Sequence, residues 1–122
     1  MQIHQSAEDY LETILMLNQR MGRVRSIDVV NELGYTKASV SIAMKKLREN
    51  GYIAVDGEGN LTLLEPGREI AERIYSRHRL LTHFFVQLGV DEETAAEDAC
   101  KAEHILSEQT LEKIREYALL HD

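Results

Sequence analysis

SIDVVNELGYTKASVSIAMKKLRENGYIAVDGEGNLTLL, residues 26–64, carries two helix signals, a tight turn and a hairpin in immediate succession. Ser26 stands where a cap would open a short helix, Ile27 to Leu33, and Gly34 makes the turn. Thr36 caps a longer helix that runs through Asn50, and Gly51 ends it. Two helices joined by a short glycine-containing turn form a helix-turn-helix. Tyr52–Val55 and Leu61–Leu64 then read as strands around Asp56-Gly57-Glu58-Gly59-Asn60, which is a hairpin signal. A helix-turn-helix followed at once by a hairpin is a winged helix.

In the second of these helices Val40, Met44 and Leu47 form the apolar stripe, at spacings of four and three. Lys37, Ser39, Ser41, Ile42, Lys45 and Lys46 are left outward or at the margins. Lysines and short hydroxyls near a helix N-terminus suit a major-groove element, because main-chain N–H groups meet phosphate and small side chains let the helix approach the bases. An exposed Ile42 here is able to meet a thymine methyl, although surface isoleucines are common and need no such explanation. With Arg25, Ser26 and Thr36 these residues make the expected contact set for double-stranded DNA. The wing tip is acidic, so it is expected to contribute main-chain contacts rather than charge attraction.

On the N-terminal side, Ser6 with Asp9 reads as a variant capping box. It opens a helix to about Arg20 whose apolar residues Tyr10, Leu11, Ile14, Leu15 and Leu17 share a face. Asp9 and Glu12 lie three apart on another face, where acids near a helix start also serve its positive end. On the C-terminal side, Glu65-Pro66 starts a long helix, with Pro at its first position, that continues to Leu88 before Gly89. Its stripe is Ile70, Ile74, His78, Leu81, Phe85 and Leu88; His83 falls off it and reads as solvated. Asp91 caps the next helix and Ser107 the last, which contains Leu111, Ile114, Tyr117, Ala118 and Leu120. That final helix offers more apolar surface than a small domain covers, so burial in a homodimer is expected.

If residues 91–104 are one helix, Cys100, Glu103 and His104 project from one face within one turn. Thiolate, carboxylate and imidazole together make a transition-metal site. Plainer accounts exist for each residue: Glu-His pairs occur on solvated faces, a lone Cys is often a small buried hydrophobe, and a stripe histidine such as His78 is often a core residue bonded to a carbonyl.

The chain has 122 residues, one cysteine and a formal net charge of −7. One cysteine forms no intrachain disulfide, and the absence of a long apolar run or signal-peptide pattern at Met1–Gln5 points to the cytoplasm and away from a membrane. The acid is unevenly spread. Residues 20–50 carry Arg20, Arg23, Arg25, Lys37, Lys45, Lys46 and Arg48 against Asp28, Glu32 and Glu49, whereas residues 91–122 hold most of the excess acid. The locally basic segment suits a polyanion.

At this point the chain resembles the metal-dependent bacterial repressors that include the diphtheria toxin repressor and the manganese transport regulator. The matching residues are Ser6-Ala7-Glu8-Asp9-Tyr10-Leu11-Glu12, the winged helix, Arg77-His78-Arg79-Leu80-Leu81, Gly89-Val90-Asp91-Glu92-Glu93 and Cys100-Lys101-Ala102-Glu103-His104-Ile105-Leu106-Ser107. The resemblance implies a mainly helical protein: a winged helix-turn-helix DNA-binding domain over residues 1–65, then a helical metal-binding and dimerisation domain over residues 66–122. It implies a metal-responsive repressor of metal-uptake genes, with a divalent metal tying the first helix to the dimerisation helices.

Carried over by position, Asp9, Glu12, His78, Glu103 and His104 match ligands of the manganese branch, whereas Cys100 falls where that branch has a glutamate and the iron branch a cysteine. Of the side chains of the iron branch's ancillary site, only His78 has a counterpart, and Thr82 and Ala96 stand where ligands would be. The implied co-repressor is Mn(II) or Fe(II), one or two ions per subunit, with Co(II) and Zn(II) plausible in vitro. A rival reading keeps the winged helix but senses a small ligand or partner protein without metal. Catalysis is disfavoured, because Glu103 and His104 are adjacent rather than in the Glu-x-x-His spacing of carboxylate-bridged bundles.

Overall fold

The computed structural model describes residues 5–122. The expectation about Met1–His4 lies outside them. The order is α1 (Gln5–Met21), α2 (Ser26–Leu33), α3 (Lys37–Glu49), β1 (Ile53–Val55), β2 (Leu61–Leu63), α4 (Glu65–Gln87), α5 (Glu92–Ala102) and α6 (Glu108–Leu120). The chain divides into two compact units, one ending at Glu72 and the other Arg73–Asp122, so the boundary falls inside α4. The mainly helical winged-helix class expected from the sequence is the observed one.

In the first unit α1, α2, α3 and the hairpin enclose Leu11, Ile14, Val24, Val29, Val40, Met44, Leu47, Ile53, Leu61 and Leu63, all buried. The α2–α3 turn forms because Gly34 takes the left-handed conformation at φ 71°, and its N–H bonds the Val30 carbonyl at 2.8 Å. Thr36 then caps α3, accepting from the Ser39 N–H at 3.1 Å. The strands pair antiparallel with Ile53 opposite Leu63. Alternation puts Leu61 and Leu63 inward and Thr62 outward. At the wing tip one carboxylate replaces what a tighter turn would supply: Asp56 accepts from the main-chain N–H groups of Glu58 and Asn60, each at 2.9 Å, and from the Asn60 amide. The first turn of α4 lies so close to Tyr52 that a Cβ at Gly67 would sit 2.2 Å from its carbonyl oxygen, which requires glycine there.

In the second unit Leu81, Ala99 and Leu111 form a buried cluster, flanked by Leu80, Phe85, Ala102, Leu106 and Ile114. Ala99 belongs to α5, and the small side chain lets α4 and α6 close on it. Asp91 caps α5 through the Thr94 N–H, and Ser107 caps α6 through the Thr110 N–H.

Four local expectations are corrected. Ser6 lies within α1 rather than before it. The N-cap of α2 is Arg25, extended at φ −121° and ψ 167°, and its N–H donates to Asp28 at 2.8 Å; Ser26 is the first helical residue. Glu65 already belongs to α4, so Pro66 takes the second helical position, where its missing N–H again costs no helical bond.

The fourth correction concerns α5, which ends at Ala102, so Glu103 and His104 do not continue its helix. Glu103 is the C-cap and the next residues form a turn, in which the Ile105 and Leu106 N–H groups both reach the Ala102 carbonyl, at 3.1 and 3.3 Å. Ser107, extended at ψ 160°, is committed to capping α6 and stops α5 from continuing.

Candidate functional site

The outward side of α3 is built by the inward commitment of Val40, Met44 and Leu47. Thr36, Lys37, Ser39, Ser41, Ile42, Lys45 and Lys46 are all exposed, Ile42 by 58%. Among the described residues none of the three lysines has an ion-pair partner. Ser41 and Lys45 line a cleft with Ser26, Met44, Val55 and Arg48. Arg48 was not in the sequence-based contact set, although its spacing of three from Lys45 and seven from Ser41 places it on their face. Arg25 is exposed, and its guanidinium packs along the wing main chain at Gly59, where a Cβ would meet its Nε at 3.5 Å. The acidic wing thus carries a cation on its flank. Asn60 hydrogen bonding, the main-chain N–H of Glu58 and the charge of Arg23 hold the Asp56 carboxyl below its ordinary value, so the tip stays ionised.

Of the six expected metal ligands, Asp9 and Glu12 belong to the first unit, one turn apart on α1. Glu12 is a buried carboxylate, 5% exposed, and Asp9 is half-buried. The other four belong to the second unit, and there the structure gathers them. The Glu103 side chain is fully buried; its Oε2 lies 3.1 Å from His78 Nδ1 and its Oε1 lies 3.4 Å from His104 Nε2. The His104 side chain is 1% exposed. Cys100 is exposed on α5, and its sulfur lies within 4.8 Å of a Glu103 carboxylate oxygen. His78 therefore meets a carboxylate instead of the carbonyl that a core histidine would find. His83 is half-exposed, as read, and pairs with Asp122 at 2.7 Å. Thr82 spends its hydroxyl on the His78 carbonyl at 2.7 Å, which is a helical back-bond and not a metal-facing one.

The donor chemistry fits a divalent transition ion. Donor atoms about 3 Å apart are spaced as neighbours around an ion with bonds of about 2.1 Å, and the same spacing is a hydrogen bond in the metal-free chain. Burying a carboxylate beside two imidazoles satisfies its charge only if cations or protons meet it. A buried carboxylate between two imidazoles in one unit and an exposed cationic helix of a winged helix in the other are the parts expected of a DNA-binding regulator that answers to a metal ion.

Comparison with known proteins places that class in a family. Residues 2–61 match the family described as "Iron dependent repressor, N-terminal DNA binding domain", and residues 64–119 match "Iron dependent repressor, metal binding and dimerisation domain". The chain is 37% identical over 113 residues to the HTH-type transcriptional regulator MJ0568 of Methanocaldococcus jannaschii, covering 91% of this chain and 90% of the relative. It is 35% identical over 109 residues to the HTH-type transcriptional regulator MntR of Bacillus subtilis, covering 89% and 77%. A solved structure described as "Manganese-dependent transcriptional repressor complex with manganese" superposes with a TM-score of 0.84 at 28% identity, covering 92% of this chain and 52% of that one. The chain spans about half the length of such solved chains. The chain belongs to the metal-dependent repressor family of the diphtheria toxin repressor and the manganese transport regulator.

Proposed function

We propose that this chain is a homodimeric, cytoplasmic transcriptional repressor of metal-uptake genes, which binds double-stranded operator DNA when loaded with Mn(II) or Fe(II). The observation that carries the metal part is the fully buried Glu103 carboxylate between the His78 and His104 imidazoles. We assign Asp9, Glu12, His78, Cys100, Glu103 and His104 as the donors, for one or two ions per subunit. Oxygen and nitrogen donors suit Mn(II) and Fe(II), while the Cys100 thiolate adds preference for Fe(II), Co(II) and Zn(II). When bound, the dication supplies positive charge that offsets the repulsion among these carboxylates.

The chain's own residues do the rest. Residues 1–65 bind DNA: Arg25, Lys37, Lys45 and Lys46 meet phosphates, Thr36 and Ser26 lie at helix N-termini that favour phosphate, and Ser39, Ser41 and Ile42 approach base edges. Residues 66–122 bind metal and dimerise. The exposed apolar residues of the second unit, Leu119 at 70% and Leu120 at 82% among them, support dimerisation through the C-terminal helices. In a dimer the two α3 helices must match successive turns on one DNA face. Metal occupancy then acts by population shift, and by linkage operator DNA tightens metal binding to the same degree. Nothing in this scheme is catalytic, and no described helix is long and apolar enough to cross a membrane.

An anaerobic Co(II) titration of the metal-free protein, followed by absorbance and by anisotropy of a labelled duplex, tests the assignment. The expected result is saturable binding with a thiolate-to-cobalt charge-transfer band that disappears in Cys100→Ser, and DNA affinity that rises with metal. Binding without the band removes Cys100 from the donor set. Metal-independent DNA binding, unchanged in His104→Ala, would favour a winged-helix regulator that senses something else.

A further inference from the structure

Two consecutive residues of α4 hold the same glutamate. His78 faces the Glu103 carboxylate at 3.1 Å, and Arg77 donates its guanidinium to the Glu103 main-chain carbonyl at 3.2 Å. The other nitrogen of that guanidinium pairs with the carboxylate of Glu108, the first residue of α6. Arg77 is only 14% exposed although its partner Glu108 is 79% exposed, so the guanidinium is held inside while its acceptor reaches in from the surface.

The position of this contact gives it its consequence. Glu103 is the C-cap of α5, and the carbonyls at a helix end have no partner within the helix. From Glu103 to Ser107 the chain makes a turn: the Glu103 N–H still bonds the Ala99 carbonyl at 2.9 Å, the Ile105 and Leu106 N–H groups reach the Ala102 carbonyl, and the Ser107 carbonyl already belongs to α6. A donor at the Glu103 carbonyl adds a restraint on the peptide that leads into His104, on the side opposite the Glu103 N–H bond to Ala99. Arg77 supplies the donor and, through Glu108, fixes where α6 begins. A planar fork reaches both acceptors at once, which a lysine ammonium does only by choosing between them.

We propose that Arg77 is a positioning residue of the metal centre, fixing the main chain that carries Glu103 and His104 so that their donor atoms are pre-set for the ion. The inference rests on the metal reading given above. It adds a residue that no ligand spacing points to, since Arg77 has no donor atom to offer a cation.

The test measures Mn(II) affinity from the paramagnetic resonance signal of the free ion, in the parent chain, Arg77→Met, Arg77→Lys and Glu108→Gln. Outer-shell partners of metal ligands are worth roughly 10- to 100-fold in affinity, and Arg77→Met is expected to weaken binding within that range. In the metal-free protein, amide exchange at Ile105 and Leu106 is expected to quicken in Arg77→Met, which reports the turn itself. Arg77→Lys keeps charge and bulk; it is expected to melt with the parent and still lose about 10-fold in affinity. Glu108→Gln leaves the carbonyl contact and is expected to lose less than either. Affinity within about two-fold of the parent in a folded Arg77 variant would overturn the inference, the measured range for such partners being larger. If Arg77→Met does not fold, Arg77→Lys decides. A parent chain that binds no Mn(II) overturns the metal reading and the inference together, whereas a parent that binds beside equal variants overturns the inference alone.

Discussion

Replacing Lys45 with alanine removes one cation from the exposed side of α3, at the cleft it lines with Arg48, Ser26 and Ser41. Lys45 has no ion-pair partner among the described residues, so its loss breaks nothing in the free protein and any effect is on the complex. Each phosphate neutralised by a cation contributes about −0.9 to the slope of log affinity against log salt. In a homodimer the substitution removes two such contacts, flattening the slope by about 1.8. Between about 50 and about 200 mM salt, the parent should therefore lose roughly 12-fold more affinity than Lys45→Ala does. The assay is anisotropy of metal-saturated protein on two duplexes of unrelated sequence, at several salt concentrations. An unchanged slope would refute the phosphate assignment. A loss confined to one duplex would refute it differently, by showing that Lys45 reads a base. Ile42→Ala is the matched control: it should leave the slope alone and reduce discrimination between duplexes that differ at a thymine.

Leu111→Ala should cost about 2–5 kcal/mol in urea denaturation, because Leu111 closes the cluster with Leu81 and Ala99; a loss under about 1 kcal/mol would mean the site collapses around the cavity. Thr36→Ala should cost about 1 kcal/mol, since it removes the cap that accepts from Ser39 N–H, and the same assay reads it. The Asp56 carboxyl is held below its ordinary value of 3.8 by the Asn60 amide first and by main-chain N–H groups after it. A depressed value in the folded state means the wing's fastening is complete above the ordinary carboxylate range and is lost as pH falls through the lower, folded value. Protection of the Glu58 and Asn60 amides, taken relative to their intrinsic exchange rates, should accordingly fall in the parent as pH drops below the ordinary carboxylate value and be low throughout in Asp56→Ala; protection in the parent that does not change with pH would contradict it. Glu103→Gln should abolish tight Mn(II) binding while leaving nonspecific DNA binding in place, and equal Mn(II) affinity would exclude Glu103 as a donor.

The winged helix is legible because every one of its decisions is local. The stripe Val40, Met44, Leu47, the left-handed Gly34 and the Thr36 cap each act within a turn of their own position, and the hairpin residues follow the same rule. The expected start of α2 misses by one residue because Ser26 and Arg25 are both able to stand there; Asp28 decides by accepting from the Arg25 N–H. The end of α5 is a different kind of failure. Ala102-Glu103-His104-Ile105-Leu106 contains no glycine or proline, and a single helix through it is the reasonable expectation. The Ser107 cap fixes where α6 begins but not how many residues before it leave α5, and the guanidinium that meets the Glu103 carbonyl is 26 residues away in sequence, which no local pattern contains. His78 is legible in sequence only as one of two things, a metal ligand or a core histidine; its contact is with the Glu103 carboxylate. Arg77 is visible in sequence only within a matching motif and Arg48 only within a basic segment, because a cation on a helix face carries no signal of its particular task until a neighbour gives it one.

The charge of the chain bears on how a metal signal would reach DNA. At a net −7 the protein as a whole is repelled by a duplex, and Glu92, Glu93, Glu97 and Asp98 are exposed and acidic along α5. A basic regulator binds any sequence weakly through its field and needs a signal only to improve on that. An acidic one has little such reserve, so its attraction must come from the few cations of α3 and Arg25 arriving together at phosphates with the correct spacing. Misalignment of one recognition helix in a dimer then forfeits half of a small total while the repulsion remains. Under these conditions a modest change in the population of the aligned dimer is enough to switch binding. A coupling of about 1–3 kcal/mol, ordinary for allosteric proteins, moves affinity by about 5- to 150-fold. In the proposed scheme the net acidity of the chain is thus what would make a metal-dependent alignment decisive.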